Sequence, residues 1–596
     1  MIKNIYLWIL GLLFLVVSHI AIKNFGGSLV LPVAYFVWIT LSGIVLLSVI
    51  QIFNEWKISL PHTSLYILIF LLLLLPAALF NHIISSHVFI FETVGLIGGI
   101  IFFMSLHQFE LTDEERERFL YVIFISGMIE ALISLFQYFN PDTGIFLIVI
   151  PASKKVFGNF QHQNLLASYL ATSVVISLYL LTGGIFKGFS KWLKAIFYLT
   201  VLLMCFVIFL TGSRAGVIET GAGALILLWA RYGRYREKAL YPAIWLLMIC
   251  VGISGSVAVE KYYYKRDSAL SSVGQKIGMT MESVASDEVT DSRVPMYLTA
   301  ISMIKDKPLE GHGPGSFGSK FMHYRSRLAK EHPEYPYEAV FMSHPHNEFL
   351  YRTAESGLMG GAGLLIVGIG FIVCLVKLGR ERGGVYAAFL FPIAFDTQVS
   401  YSLYQSMPHW ALFLFLLYLP SSYFIKEVRM KPVSLLKTGA LAASATFFVV
   451  ITYLSITTLN AQIAMKKYQD HLLKENIIRT ELLMPSLNNI YLRQIGVRLL
   501  MDAKLRAGLM RGDRALLEEF VEFSREERKV YPHSVLYVRE ARALFDLRRK
   551  DEAYRLLEEG LSLYPGRADL KATKKEFLLE DAKVMIQRMM DKGKMK

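Results

Sequence analysis

Long apolar runs, repeated from the N-terminal end to about residue 460, leave this chain few folds to choose from. A helix needs about 20 apolar residues to cross the hydrocarbon core of a bilayer, and in lipid only helices and closed barrels satisfy their own backbone. Thirteen segments approach that length: 5–22, 28–53, 63–80, 88–106, 117–138, 165–183, 189–210, 215–230, 240–259, 355–377, 384–398, 409–424 and 438–459. The eighth, eleventh and twelfth are the short ones. Only 18% of the residues are charged, against about 25% in an ordinary soluble domain. The expected fold is an all-α polytopic membrane helix bundle of about 13 spans. Its first run, 5–22, reads as a retained helix rather than a signal peptide, because it lacks a small-residue cleavage site and another span follows.

Lys and Arg gather in cytoplasmic loops and so set orientation. With the N-terminus inside, the inner loops hold Lys57, Arg116, Arg118, Lys187, Lys191, Lys194, Arg231, Arg234, Arg236, Lys238, Lys377, Arg380, Arg382, Lys426, Arg429, Lys431 and Lys437. The short outer loops hold only Lys23, Lys154, Lys155 and Arg214. This bias puts a large loop, 260–354, and the charged tail, 460–596, outside. The formal charge of +14 then serves topology in large part, and no nucleic-acid partner is expected. Cys205, Cys250 and Cys374 all lie in apolar runs without ligand spacing and read as small hydrophobes.

The division expected is 1–459 for the membrane domain and 460–596 for a soluble helical domain. In the tail, Tyr531-Pro532 recurs as Tyr564-Pro565, a period of 33. That is similar to tetratricopeptide helix pairs, whose period is about 34 and which bind a partner or cap a neighbouring domain. A plain helical bundle is the alternative.

The unusual polar chemistry all falls on the outer side. It comprises Gly158-Asn-Phe-Gln-His-Gln-Asn164, Thr211-Gly-Ser-Arg-Ala-Gly216, the 260–354 loop and Thr397 to Trp410. Within the loop, Ser292-Arg293 opens an amphipathic helix. Gly311-His-Gly-Pro-Gly-Ser-Phe317 follows, then Ser343-His-Pro-His-Asn-Glu-Phe-Leu350, and the loop ends at Glu355-Ser-Gly-Leu-Met-Gly360. No phosphate loop of the G-x-x-x-x-G-K-[ST] kind is present, which speaks against an ATP-driven pump.

The run G-x-G-x-G-S-F followed by H-x-H-N-x-x-L-x-x-x-x-E-x-G-L-x-G resembles the bacterial O-antigen ligase and polymerase superfamily, which includes the PglL-type O-oligosaccharyltransferases. His346 and Gly357 have ten residues between them, the ligase spacing. The segments at 158–167 and 211–216 are similar to earlier motifs of that family, and 397–410 to the late motif of its protein-glycosylating branch. The chain departs from that branch at His162, where Gln is usual, and at Ser400-Tyr401-Ser402, where Glu-Tyr-Pro is usual. The resemblance implies a glycosyltransferase-C-like membrane domain in the bacterial inner membrane, working on the periplasmic or extracellular side. It would move a glycan from a polyprenyl diphosphate-linked donor to an acceptor hydroxyl, on a protein or a glycolipid, without a metal or other cofactor. O-linked protein glycosylation leads; ligation to a lipid A core and polymerisation of the lipid-linked glycan are the alternatives.

A diphosphate leaving group needs cations as its bond breaks, and an Arg fork matches phosphate oxygens. Arg214 and Arg293 are the expected clamp, with Arg325 and Arg327 weaker choices; a snorkelling side chain or a structural ion pair, above all for Arg293 beside Asp291, is the plain reading. An alcohol needs a base, and His346 is the choice, titrating near 6.5 if unperturbed. His344 is expected to point elsewhere. Gln161, His162, Asn164, Tyr401 and Gln405 are expected to meet substrate; helix capping by Asn164 and an interfacial aromatic belt that includes Tyr404 and His409 are the plain alternatives. Gly311, Gly313 and Gly315 form either an anion-binding turn or an ordinary one. A transporter of the same lipid is the rival from another class, and would use Glu92, Glu130 or Glu219 within the spans.

Overall fold

The structure is a computed structural model that describes residues 1–24, 31–140, 148–149, 156–263, 291–337 and 340–594. Lys154, Lys155 and residues 264–290 of the large loop lie outside the described residues, as do the first residues of the run 28–53. The principal helices of the first part are α1 (Ile2–Leu15), α2 (Pro32–Glu55), α3 (Thr63–Phe80), α4 (Ser86–Leu106), α5 (Asp113–Phe139), α6 (Gln163–Leu180), α7 (Lys191–Thr211), α8 (Arg214–Ala230) and α9 (Leu240–Ala258). The loop contributes α10 (Arg293–Asp306) and α11 (Phe317–Glu331). Then come α12 (Glu348–Lys377), α13 (Gly379–Val399), α14 (Met407–Ser421) and α15 (Ser434–Asp470). The tail adds α16 (Arg493–Arg511), α17 (Arg514–Val530), α18 (Ser534–Asp546), α19 (Lys550–Leu563) and α20 (Ala568–Lys594).

The protein is an all-α polytopic membrane protein. Among the described residues, ten helices are long and apolar enough to cross a membrane. The three other expected spans are helices as well, α8, α13 and α14, but each is too short or too polar by that measure. The reason is their position. α13 and α14 pack largely inside the bundle, and α8 does so along one face, while its Leu225 and Trp229 stay exposed; the enclosed faces tolerate polar groups, and Glu219, Asp396 and His409 are fully buried there. α6 follows the same rule. It is the least apolar of the ten, 83% of it is buried, and Ser168, Thr172, Ser173 and Ser177 lie along it. Small residues let the neighbours close in: a Cβ at Gly216 of α8 would stand 2.5 Å from that of Ala167 on α6.

The loops sort into two sets at opposite ends of the bundle. At one end, a two-stranded antiparallel sheet joins β1 (Lys57–Pro61) to β2 (Ile425–Arg429), with Lys57 opposite Arg429. There too Lys3 pairs with Glu115 at 2.8 Å, Arg116 stacks 4.2 Å from the Tyr423 ring, and Arg231 and Arg234 face Glu381. These are the basic loops. At the other end, Arg214 meets Asp291, and Asn81 Nδ2 donates to the Glu310 carbonyl at 3.1 Å.

α15 runs without a break through the division expected at 459/460. Beyond it, the tail shares one hydrophobic core with the large loop: Met296, Phe317, Phe321 and Met342 pack in the same cluster as Leu517, Tyr537, Leu544 and Tyr564. Arg325, almost fully buried, donates to the carbonyls of Val340 and Leu563, both at 3.0 Å. It is a structural tie between loop and tail. Arg327 rests over the Tyr324 ring, 5.0 Å from its centroid. Tyr531 and Tyr564 follow α17 and α19, and the Tyr564 hydroxyl donates to the Pro532 carbonyl at 2.6 Å. The period of 33 thus marks the ends of two successive helix pairs.

Candidate functional site

α12 begins at the end of the bundle opposite the basic loops, and its first turn explains most of the H-x-H-N pattern. Asn347 is its N-cap: Oδ1 accepts from the Leu350 N–H at 2.8 Å, while Nδ2 donates to the Gln398 carbonyl at 3.0 Å. This anchors the residue before it. His346 has a φ of +56°, a left-handed conformation uncommon for a side chain of this size. Its N–H donates to His344 Nδ1 at 3.0 Å, and His344 is kept neutral by burial, leaving that nitrogen free to accept. The ring's other nitrogen faces Glu348 Oε2 at 3.5 Å. Glu348 accepts from Arg352 Nε at 2.9 Å and from the Tyr404 hydroxyl at 3.1 Å, and Arg352 Nη1 lies 3.6 Å from Glu92. His344 therefore does not point elsewhere; it props the backbone of His346 in its unusual conformation.

The glycine run serves the same helix. α12 kinks at Gly357, φ +66° and ψ −174°, a region open in practice only to glycine. The run 311–317 wraps that kink. Gly311 donates to the Lys307 carbonyl, His312 to that of Ala354 at 3.0 Å, and Gly313 to that of Glu355 at 2.9 Å. The Phe317 N–H goes to Glu355 Oε1 at 3.0 Å. These N–H groups are spent on the chain itself, so the turn is a clasp and the anion-binding alternative falls. Replacing Gly357 by Ala would set a Cβ 1.9 Å from the Leu309 carbonyl oxygen. We expect Gly357→Ala to lower stability by at least ~1–3 kcal/mol from backbone strain alone. Thermal unfolding in detergent checks this, and a wild-type midpoint would refute the clasp.

His346 itself is half-buried. The Tyr401 ring meets it edge-on at 4.6 Å and 70°. Burial, reinforced by His344, Arg293 and His162 nearby, lowers its imidazole to about 3, which replaces the value near 6.5 expected from sequence. The group is neutral at any ordinary pH and able to accept a proton, though as a weak base. Arg293, at the start of α10, is the nearby cation. Its guanidinium has no ion pair or hydrogen bond among the described residues. Arg214, at the start of α8, is held by Asp291, Nη1 to Oδ2 at 2.9 Å, and Asp291 Oδ1 accepts the Arg293 N–H at 3.0 Å. One carboxylate thus fixes both arginines, and the structural pair belongs to Arg214 rather than to Arg293.

The remaining expected residues divide. His162 is the N-cap of α6 without a capping bond; its buried Nδ1 has no partner among the described residues, and burial lowers its pKa. Gln161 and Asn164 flank it, and neither side chain bonds elsewhere among the described residues, so Asn164 is no cap. Tyr401 and Gln405 lie side by side near His346. Tyr404 is committed to Glu348, and His409 bridges Ser406 Oγ at 2.7 Å and the Leu165 carbonyl at 2.8 Å. Both are structural.

Several supporting residues escaped sequence reasoning. Buried Glu130 accepts from His19 Nδ1 at 2.7 Å and from the Asn159 N–H at 3.0 Å, and Asn159 Nδ2 donates to the His19 carbonyl at 2.6 Å. This trio sets the Gly158–Asn164 loop. Asp396 lies within electrostatic range of Arg293 and of Glu219, beneath the rim. It is the one acidic residue in 383–409, and a charge in an apolar run is the signal that could have found it.

Three family profiles match the chain. One described as protein glycosylation ligase covers residues 156–181. One described as O-antigen ligase covers 199–365. One described as virulence factor membrane-bound polymerase, C-terminal, covers 385–576. No match is found among curated proteins. The first profile takes in His162 and Asn164, the second Arg214, Arg293 and His346, and the third Tyr401, Gln405 and the helical tail. In that order they follow the segments that build the site, and together they support the O-antigen ligase and protein glycosylation ligase superfamily and an enzyme that transfers glycans.

Proposed function

We propose that this enzyme transfers a glycan from a polyprenyl diphosphate-linked donor to an acceptor hydroxyl, and that the reaction is O-linked glycosylation of a protein. The observation that carries the reading is the Arg293 guanidinium, without an ion pair or hydrogen bond among the described residues, near a neutral, edge-supported His346, with Arg214 fixed to the same Asp291. In the reaction the acceptor O–H bond breaks, the new glycosidic C–O bond forms, and the C–O bond to the diphosphate breaks. His346 takes the proton; Arg293 and Arg214 hold the diphosphate as its charge grows. Gln161, His162, Asn164, Tyr401 and Gln405 offer hydrogen bonds and a stacking face to the sugar. No metal is needed for these steps.

The excess of Lys and Arg at the opposite end supports an outward-facing rim on the cytoplasmic membrane of a bacterium. The C-terminal domain, 460–596, reads as a tetratricopeptide-like cap on the outer loop. Of the three acidic residues a transporter would use, Glu92 is engaged by Tyr351, whose hydroxyl donates to it at 2.6 Å, and Glu130 by His19 and Asn159; Glu219 is fully buried without a hydrogen-bond partner among the described residues.

A second reading, ligation to a lipid A core, is favoured by the O-antigen ligase match and by Ser400 and Ser402, where the glycosylating branch has Glu and Pro. The test gives purified enzyme the lipid-linked glycan with a pilin-like protein, a lipid A core, or more donor. Sugar on the protein is the expected result. Sugar on the lipid A core alone would overturn protein glycosylation in favour of ligation, and sugar on none would overturn transfer.

A further inference from the structure

At the end of the bundle where the basic loops gather, the first turn of α3, the last turns of α12 and the β1–β2 hairpin surround a cavity of ≈ 410 Å³. Lys377 and Lys426 line it together with His62, Ser64, Leu65 and Phe424. The lysines differ from their neighbours. Lys57 on the adjoining strand is neutralised by Glu55 and Glu427 at 3.4 and 2.9 Å, and Arg231 and Arg234 by Glu381. Neither Lys377 nor Lys426 has an ion pair among the described residues, and no carboxylate lines the cavity. The Lys377 ammonium lies 5.8 Å from the Phe424 ring centroid, at the rim. α3 starts there without a side-chain cap, so its first N–H groups and the positive end of its dipole face the same space.

The other side of the cavity is apolar. It opens toward the lipid-directed surfaces of α3 and α12, where Leu65, Leu68 and Leu72 are 60%, 53% and 54% exposed, and Ile369 and Ile372 53% and 57%. α3 and α12 approach closely along this seam: a Cβ at Gly370 would stand 2.6 Å from the Tyr66 ring. Two unpaired cations over a helix start, continued by an apolar furrow at membrane depth, suit a phosphate that carries acyl chains better than a free anion.

We propose that this cavity is a binding site for an anionic phospholipid, its phosphate held between Lys377 and Lys426 and its chains laid along α3 and α12. The site is remote from the rim where transfer is proposed and stands without that reading. Basic pockets of this kind between spanning helices draw anionic headgroups electrostatically. A bound lipid would staple α3 to α12 and to the hairpin, and so stabilise the folded bundle by mass action.

The test uses the full chain in mild detergent, with thermal unfolding and native mass spectrometry after addition of phosphatidylglycerol, phosphatidylcholine or inorganic phosphate. Phosphatidylglycerol should be retained and should raise the unfolding midpoint; the other two should not. The double variant Lys377→Ala, Lys426→Ala should bind phosphatidylglycerol about 30-fold more weakly, while Lys377→Arg, Lys426→Arg should keep it. If the alanine pair does not fold, the arginine pair and the three additives still decide. Equal retention of phosphatidylcholine, equal stabilisation by inorganic phosphate, loss of binding in the arginine pair, or undiminished binding by a folded alanine pair would each overturn the lipid site.

Discussion

His346→Ala should insert normally, still bind the lipid-linked donor, and transfer glycan ~10²–10⁴-fold more slowly, the usual contribution of a positioned general base. Donor binding survives because the arginines, not the imidazole, hold the diphosphate. The pH dependence carries a sharper signature. The free-enzyme imidazole is lowered to about 3, so it is already deprotonated across the neutral range. The profile of kcat/KM, which reports the free enzyme, should stay level from pH 8 down to about 5 on this account. A bound diphosphate adds negative charge beside the ring and favours the imidazolium. The acid limb of kcat should therefore lie at higher pH than that of kcat/KM. Chelators should leave the rate unchanged. His344→Ala should also slow transfer, since it removes the acceptor for the His346 N–H. His344→Asn, which keeps an acceptor, should restore part of the rate; His346→Asn should not. A well-folded His346→Ala with near-normal transfer would remove His346 from the base role, and a kcat/KM limb centred near 6.5 would refute the lowered imidazole.

The sequence disclosed what lipid demands and concealed what protein encloses. Ten spans were legible because any helix that meets hydrocarbon must be apolar over its whole length. α8, α13 and α14 were faint for the opposite reason: on faces enclosed by other helices they carry Glu219, Asp396 and His409, and α8 and α14 are short. The proposed site rests on residues whose chemistry is rare in such surroundings, Arg214, Arg293 and His346, and these stand out in the sequence. Its supports were not, because each acts through a partner distant in the chain. Asp291 stands two residues from Arg293 but grips Arg214, 77 positions away. Glu130 reaches a loop that begins near residue 158 and a histidine at 19. The glycine run looked equally suited to hold an anion or to make a turn, and only the kink at Gly357, which its N–H groups wrap, decides between them.

Arg293→Ala should slow transfer by about 10²–10³-fold, comparable to the loss of one preorganised charge-stabilising donor in other active sites, with little change in stability. The guanidinium bonds to nothing among the described residues, so its removal orphans no partner. Arg214→Ala should differ. It strips the largely buried Asp291 of its guanidinium at 2.9 Å, and by analogy with truncated charge pairs at interfaces the loss is of order ~2–5 kcal/mol, at the lower end because Arg214 is partly exposed. Part of that loss should appear as a lower unfolding midpoint and part as slower transfer. Asp291→Asn separates the two. If Arg214 only braces the fold, Asp291→Asn and Arg214→Ala should slow transfer equally. If Arg214 also grips the diphosphate, Asp291→Asn keeps that cation and should transfer well above Arg214→Ala. Arg214→Lys should fall between them, since an ammonium keeps the charge but cannot hold two phosphate oxygens in one plane. Equal rates for Asp291→Asn and Arg214→Ala would confine Arg214 to structure, and near-normal transfer by folded Arg293→Ala would take the clamp away from this pair.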